Sequence, residues 1–396
     1  MTFRVPITGL GIVAPGASGV DAFRSLLGSG RSAIALVDRF DTAGLRGRKA
    51  GVVRDFNPRE FIAPMKMRRM NTLSRLAVSA AKLAMRDAGM ESLDPAAGVA
   101  IGTAFGAVQT SVDYMREYVE KGAALAPPQL FAESVANAPG SHIAIELGLR
   151  GFNVTVTQRE SSALAAAMYA ASQIGKGMVP AALIGGVEEV NEMIFSVLDR
   201  LGALSPGEEG TVRPFDRRRD GILPGEGSAI LIAGAGPAVY GYLSGFGMAR
   251  DTTATISDWG EDARAVAVAI SAAIEDAGLR GGDIDAVYAS ANGNVRGDRL
   301  ESRALQLVFG EAIPPVVAVK GSFGEYAAGG ALQLAAALLA VRDQILHPTA
   351  GFEQADEGAR IDVVRQPRPA ALRHVLVNSL SAGGGIVSAV VSREGE

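Results

Sequence analysis

Two periods of hydrophobicity alternate along the chain. Short apolar runs fall at 5–12, 98–101, 181–185 and 229–233 and read as strands, and 153–157, which alternates polar and apolar, reads as another strand. Between them, 20–28, 73–88, 141–147 and 161–175 carry helical spacing, and Gly89 stands where a helix C-cap belongs. The second part repeats the alternation, with strands expected at 238–248, 285–290, 316–319 and 375–379 and helices at 263–277, 299–309 and 329–342. This predicts an α/β fold with buried sheets. Each part holds a strand–turn–helix with small residues at the turn. That suggests a duplicated architecture with its seam near residue 240, dividing the chain into 1–238 and 239–396. No long linker separates the halves, and 205–210 is the expected exposed loop.

Composition narrows the chemistry. Apolar residues make up 48% and charged residues 20% of 396, which suits a globular protein with a large core. Net charge is −4, and no basic patch suggests nucleic acid or an anionic membrane. Arginines cluster at 213–219 and at Arg68 and Arg69, as a solvated face or a dock for an acidic partner. There is no cysteine, which excludes disulfides, thiolate metal sites and a cysteine nucleophile. The three histidines, His142, His347 and His374, show no zinc-ligand spacing. No metal or cofactor is expected. The opening residues lack the pattern of a signal peptide, and no apolar stretch is long enough to span a bilayer, so a cytoplasmic protein is expected.

Several motifs together resemble the β-ketoacyl synthase family, over nearly the whole chain. The opening 5–15 is similar to its first strand and turn. Arg213-Pro214-Phe215-Asp216, then Arg219-Asp220-Gly221 and Gly225-Glu226-Gly227, resemble its RPFD…RDG…GEG run. Gly297-Asp298 with Glu301, Lys320-Gly321-Ser322, and Asn378-Ser379 with Gly383-Gly384 fit three further segments. The resemblance implies a thiolase-like fold: two duplicated α/β halves in a five-layer αβαβα sandwich, normally dimeric. Active members load an acyl chain from acyl carrier protein onto a cysteine at a strained strand-to-helix elbow. Two histidines then assist decarboxylation of malonyl carrier protein.

The chain departs from that pattern at each catalytic position. By the resemblance, Glu160 stands on the cysteine and Glu325 on the second histidine. Asn292 stands on the first histidine, or Ser290 if the count runs back from Asp298 without a gap. Lys320 and the acidic Glu301 are retained and are expected to form a structural ion pair, and the aromatic pocket gate becomes Ala382. A carboxylate is a far weaker nucleophile than a thiolate, and an asparagine does not exchange protons near pH 7.

The branch with this kind of decay is the chain length factors of type II polyketide synthases. These pair with a cysteine-bearing ketosynthase and shape the tunnel for the growing chain. The resemblance therefore implies a catalytically silent subunit of a heterodimer, in polyketide, polyene or fatty-acid-like synthesis, with acyl carrier protein bound mainly by the partner. The helix-like stretch 108–119 offers Val112, Tyr114, Met115 and Tyr118 as tunnel or interface residues, though ordinary packing explains them as well. Two readings stand beside this one: an atypical acyltransferase or hydrolase using Glu160 and Glu325, and a malonyl-decarboxylating or purely scaffolding homologue. For Glu160 itself, a pocket plug competes with a relic whose charge is eased by the helix N-terminus, Arg159 or Lys320.

Overall fold

The structure is a computed structural model that describes residues 4–325, 327–356 and 359–393, with backbone alone for 327–329. The first half contributes β1 (Val5–Ala14), α1 (Thr72–Asp87), β2 (Gly98–Gly102), α2 (Val108–Lys121) and α3 (Ala138–Leu147). It continues with β3 (Asn153–Val156), α4 (Ser162–Gly175), β4 (Ala182–Glu188) and β5 (Gly227–Ala233). The second half contributes β6 (Gly241–Arg250), α5 (Ala263–Asp276), β7 (Ala286–Tyr288), α6 (Val295–Phe309) and β8 (Val316–Val317). It ends with α7 (Ala327–Asp343), β9 (His374–Leu380) and β10 (Gly385–Ser392).

Strand order exposes the duplication. The sheet runs β3-β2-β4-β5-β1-β6-β10-β9-β7-β8. In each half an outer trio is parallel, β3-β2-β4 and β8-β7-β9, and the inner pairings are antiparallel. The halves meet where Val5 to Ile7 of β1 pair with Gly241 to Leu243 of β6. Helices α4 and α7 pack on each other and on strands of both halves, while α1 covers β1 and β5, and α5 covers β6 and β10. The result is the thiolase-like, five-layer αβαβα arrangement, with the sheet hydrogen-bonded across its seam.

Sequence explains the close layers. The middle helix α4 is alanine-rich and buried from Ser162 to Ala167. On the outside, a Cβ at Gly11 would lie 1.8 Å from the Ala80 carbonyl oxygen of α1. One at Gly247 would lie 2.0 Å from that of Ala269 in α5. The same glycine device thus seats an outer helix on each half-sheet.

Differences from the sequence expectation lie mainly at ends. Helix α6 begins at Val295 rather than 299, because Asn294 caps it, accepting from the Arg296 and Gly297 amides. Strand β10 and the helix Glu192–Arg200 have no counterpart in the pattern reading. Among the described residues no helix is long and apolar enough to cross a membrane.

Candidate functional site

The elbow joins β3 to α4. Its backbone turns through Arg159, whose φ of 51° is rare for a residue with a side chain. The turn is held from inside: the Gln158 amide donates to Ser162 Oγ at 2.7 Å, and the Ser161 amide donates to Ser381 Oγ at 2.9 Å. Glu160 is therefore presented at the start of α4, buried, facing the loop after β9. Its backbone carbonyl accepts from Ser379 Oγ at 2.8 Å, and its Oε2 accepts from the Ala382 amide at 3.1 Å.

The helix N-terminus favours an anion, yet the Glu160 carboxyl is pushed up to about 7. Burial is the main cause and the nearby Glu325 carboxylate the second; Arg159 and Lys320 pull the other way without prevailing. Those two cations do ease the charge, but desolvation outweighs them.

The matching turn of the second half, between β8 and α7, supplies Lys320 and Glu325. Lys320 Nζ donates to Glu325 Oε2 at 2.6 Å, and both side chains are almost fully buried. Asn292 Nδ2 donates to the same oxygen at 2.7 Å, and Ser290 Oγ lies 3.4 Å from Lys320 Nζ. Asn292 and Ser290 thus both face the network, on the two sides of the ion pair. The expected Lys320–Glu301 pair is not formed. Glu301 instead accepts from the Ser290 amide at 2.9 Å and from Asn378 Nδ2 at 3.0 Å. It fixes the strand ends around the site, with its carboxyl raised to about 7 by burial.

The remaining expected residues divide. Ala382 borders a cleft of about 560 Å³ over the elbow, with Gln158, Arg159, Met248 and Ile256 on its other walls. Arg159 is tied across this cleft to the Ile256 carbonyl at 2.6 Å. Helix α2 is elsewhere. Val112 and Tyr114 are half-buried, Met115 and Tyr118 are exposed, and none of the four lines that cleft. Within the chain α2 buries only Thr110, and its exposed apolar face continues into Val119, Leu125 and Phe131.

Two of the arginines at 213–219 are engaged within the chain. Arg218 pairs with Asp216 and Glu353, and Arg219 is buried against Asp356. The histidines are all engaged away from the elbow: His142 with Glu133, His347 with Tyr288, His374 with Ser392. Sequence reasoning missed Ser381, which braces the elbow, and Glu188. Buried Glu188 accepts from Thr103 Oγ1 and the Ala104 amide, holding the loop before α2. The only sequence signal for it was an acidic pair, Glu188-Glu189, closing an apolar strand.

Chemically, the site offers a buried carboxyl, a neutral amide and a neutralised lysine. It has no thiolate and no imidazole. Among known proteins, the β-ketoacyl synthase N-terminal domain matches residues 2–235 and the β-ketoacyl synthase C-terminal domain matches residues 240–353. The chain belongs to the β-ketoacyl synthase family. It is 34% identical to the tetracenomycin polyketide synthase ketoacyl synthase alpha subunit of Streptomyces glaucescens, over 98% of this chain and 96% of that one. To the beta subunit of the same synthase it is 32% identical, over 99% and 98%. The solved ishigamide ketosynthase/chain length factor superposes with a TM-score of 0.92 at 29% identity, covering both chains fully. The β-ketoacyl synthase fold is therefore kept at full length around an elbow that carries a carboxylate.

Proposed function

We propose that this chain is a non-condensing, chain length factor-like subunit that pairs with a cysteine-bearing ketosynthase in polyketide or fatty-acid-like synthesis. The observation that carries the reading is the bond from the Ala382 amide to the Glu160 carboxylate. A backbone N–H beside the elbow is the kind of donor that would polarise a thioester carbonyl, and here the chain's own side chain takes it. The Glu325 position is likewise spent on Lys320 and Asn292. Glu160, Asn292 and Glu325 are then the degenerate catalytic positions. The seam between 238 and 239 divides two halves that keep their architectural role.

Pairing is supported by two features. Strand β3 ends the sheet with an open edge, and α2 presents Met115, Tyr118 and Val119 to solvent. A partner covering both would bury a large apolar interface. In this reading α2 borders the partner's tunnel, and Val112, Tyr114, Met115 and Tyr118 limit chain length. Acyl carrier protein docks mainly on the partner. A hydrolase using Glu160 and Glu325 is disfavoured, because Glu325 is locked in an ion pair with Lys320.

The test is co-expression with an intact ketosynthase. A stable one-to-one complex that condenses malonyl units, with a silent isolated chain, is expected. Condensation or malonyl decarboxylation by the chain alone would overturn the proposal.

A further inference from the structure

The cleft over the elbow, of about 560 Å³, barely exposes the elbow residue. Gln158, Arg159, Ser381 and Ala382 line it, while Glu160 is only 8% exposed. Arg159 is placed to keep it so. Its φ of 51° belongs to the turn that buries Glu160 and leaves Arg159 on the cleft wall. From there the guanidinium reaches two other loops. Its Nη2 donates to the Ile256 carbonyl at 2.6 Å, and its carbon lies 5.4 Å from the centre of the Phe105 ring. The first contact is a charge-assisted hydrogen bond, and the second is within cation–π range.

Both anchors are themselves held. Ile256 stands in the loop between β6 and α5. There Asp258 Oδ1 accepts from the Thr255 and Gly260 amides, and Asp251 accepts from those of Thr253 and Asp262. The Gly383 amide donates to the Asp258 carbonyl at 2.8 Å, which ties this loop to the one after β9. Phe105 stands in the loop between β2 and α2, where its amide and that of Ala104 donate to buried Glu188. Loops from both halves thus converge on one guanidinium. None of its contacts belongs to the sheet or to a helix, so they can part while the core stays folded.

We infer that Arg159 is a strap that shuts the elbow, keeping small molecules in the cleft from residue 160 whatever side chain stands there. Access and chemistry then limit the elbow separately. The inference concerns access alone and does not depend on the pairing proposal.

The chain has no cysteine, so E160C places its sole thiol behind the strap. The test is the rate at which iodoacetamide alkylates that thiol, followed by mass spectrometry on the full chain. R159A/E160C is expected to react at least about tenfold faster than E160C, since the strap's charge-assisted bond is lost. R159G/E160C, whose glycine suits the positive φ, should do the same without backbone strain. The charge effect runs the other way: Arg159 favours an anion at position 160, so its loss leaves less thiolate. Faster alkylation therefore reads access. The rates should also stay flat in urea well below the unfolding transition. A rate no faster than that of E160C in either Arg159 variant would overturn the strap. So would a rate that climbs from the first addition of urea, because unfolding would then be what exposes the thiol.

Discussion

The Ala382 amide donates to the Glu160 carboxylate at 3.1 Å, so the elbow residue closes on the loop that faces it. The carboxyl is buried and raised to about 7. The sign of its effect on stability follows. Unfolded, the group ionises near 4.5; folded, it holds its proton up to about 7. Between those values the folded chain binds more protons, and stability falls as pH rises. Thermal unfolding of E160Q, whose carbonyl still accepts from Ala382, should therefore show a shallower decline from pH 5 to 7 than the parent. An identical slope would remove Glu160 as its source.

Glu188 extends the same effect. Its carboxyl is pushed up to about 8 by burial, against three donors at 103–105. E188Q should flatten the remaining decline up to about pH 8, read as unfolding midpoints across buffers.

The Lys320–Glu325 pair should be costly to break from one side. E325Q leaves a buried ammonium without its counter-charge, and a loss of about 3–5 kcal/mol is expected in denaturant titration. The double variant K320M/E325L should be less destabilised than the sum of its single changes. Additive losses would mean that the two side chains are not energetically coupled.

Restoring a thiol alone should not restore chemistry. E160C supplies a nucleophile, but Asn292 and Glu325, proposed above to stand at the two histidine positions, offer no imidazole. The isolated variant is expected to form no ketoacyl product from acyl and malonyl carrier proteins, measured by mass spectrometry. Product formation would show that the retained residues suffice.

The exposed apolar face of α2 should matter to assembly and not to folding. M115E is expected to shift the chain's own stability by no more than about 0.5 kcal/mol, as surface changes do. The same change should weaken a purified complex with its ketosynthase by at least about tenfold, since it buries a charge. Trimming Tyr118 or Val112 to Ala should lengthen the products of that complex, read by mass spectrometry.

Much of this was legible in the sequence because strands and helices here are buried and regular. The runs at 98–101 and 181–185 read as core strands, and 161–175 as a helix. The motifs placed Glu160, Asn292, Lys320 and Glu325 near one another, and the structure brings them into a single region. What sequence could not supply was the partner of each polar group. The sequence reading paired Lys320 with Glu301, and three-dimensional placement gives it Glu325 instead. The arginines at 213–219 read as a surface cluster, while Arg219 is interior. Residues such as Ser381 carry no pattern at all, because their role is a few hydrogen bonds across more than two hundred residues of chain.

The open edge of β3 has its own consequence. Its amides and carbonyls would pair with any strand that reaches them, another copy of this chain included. Backbone groups supply adhesion without identity. The decision between a like and an unlike partner then falls to the side chains beside that edge, and with it the sensitivity of the assembly to the relative amounts in which the two subunits are made.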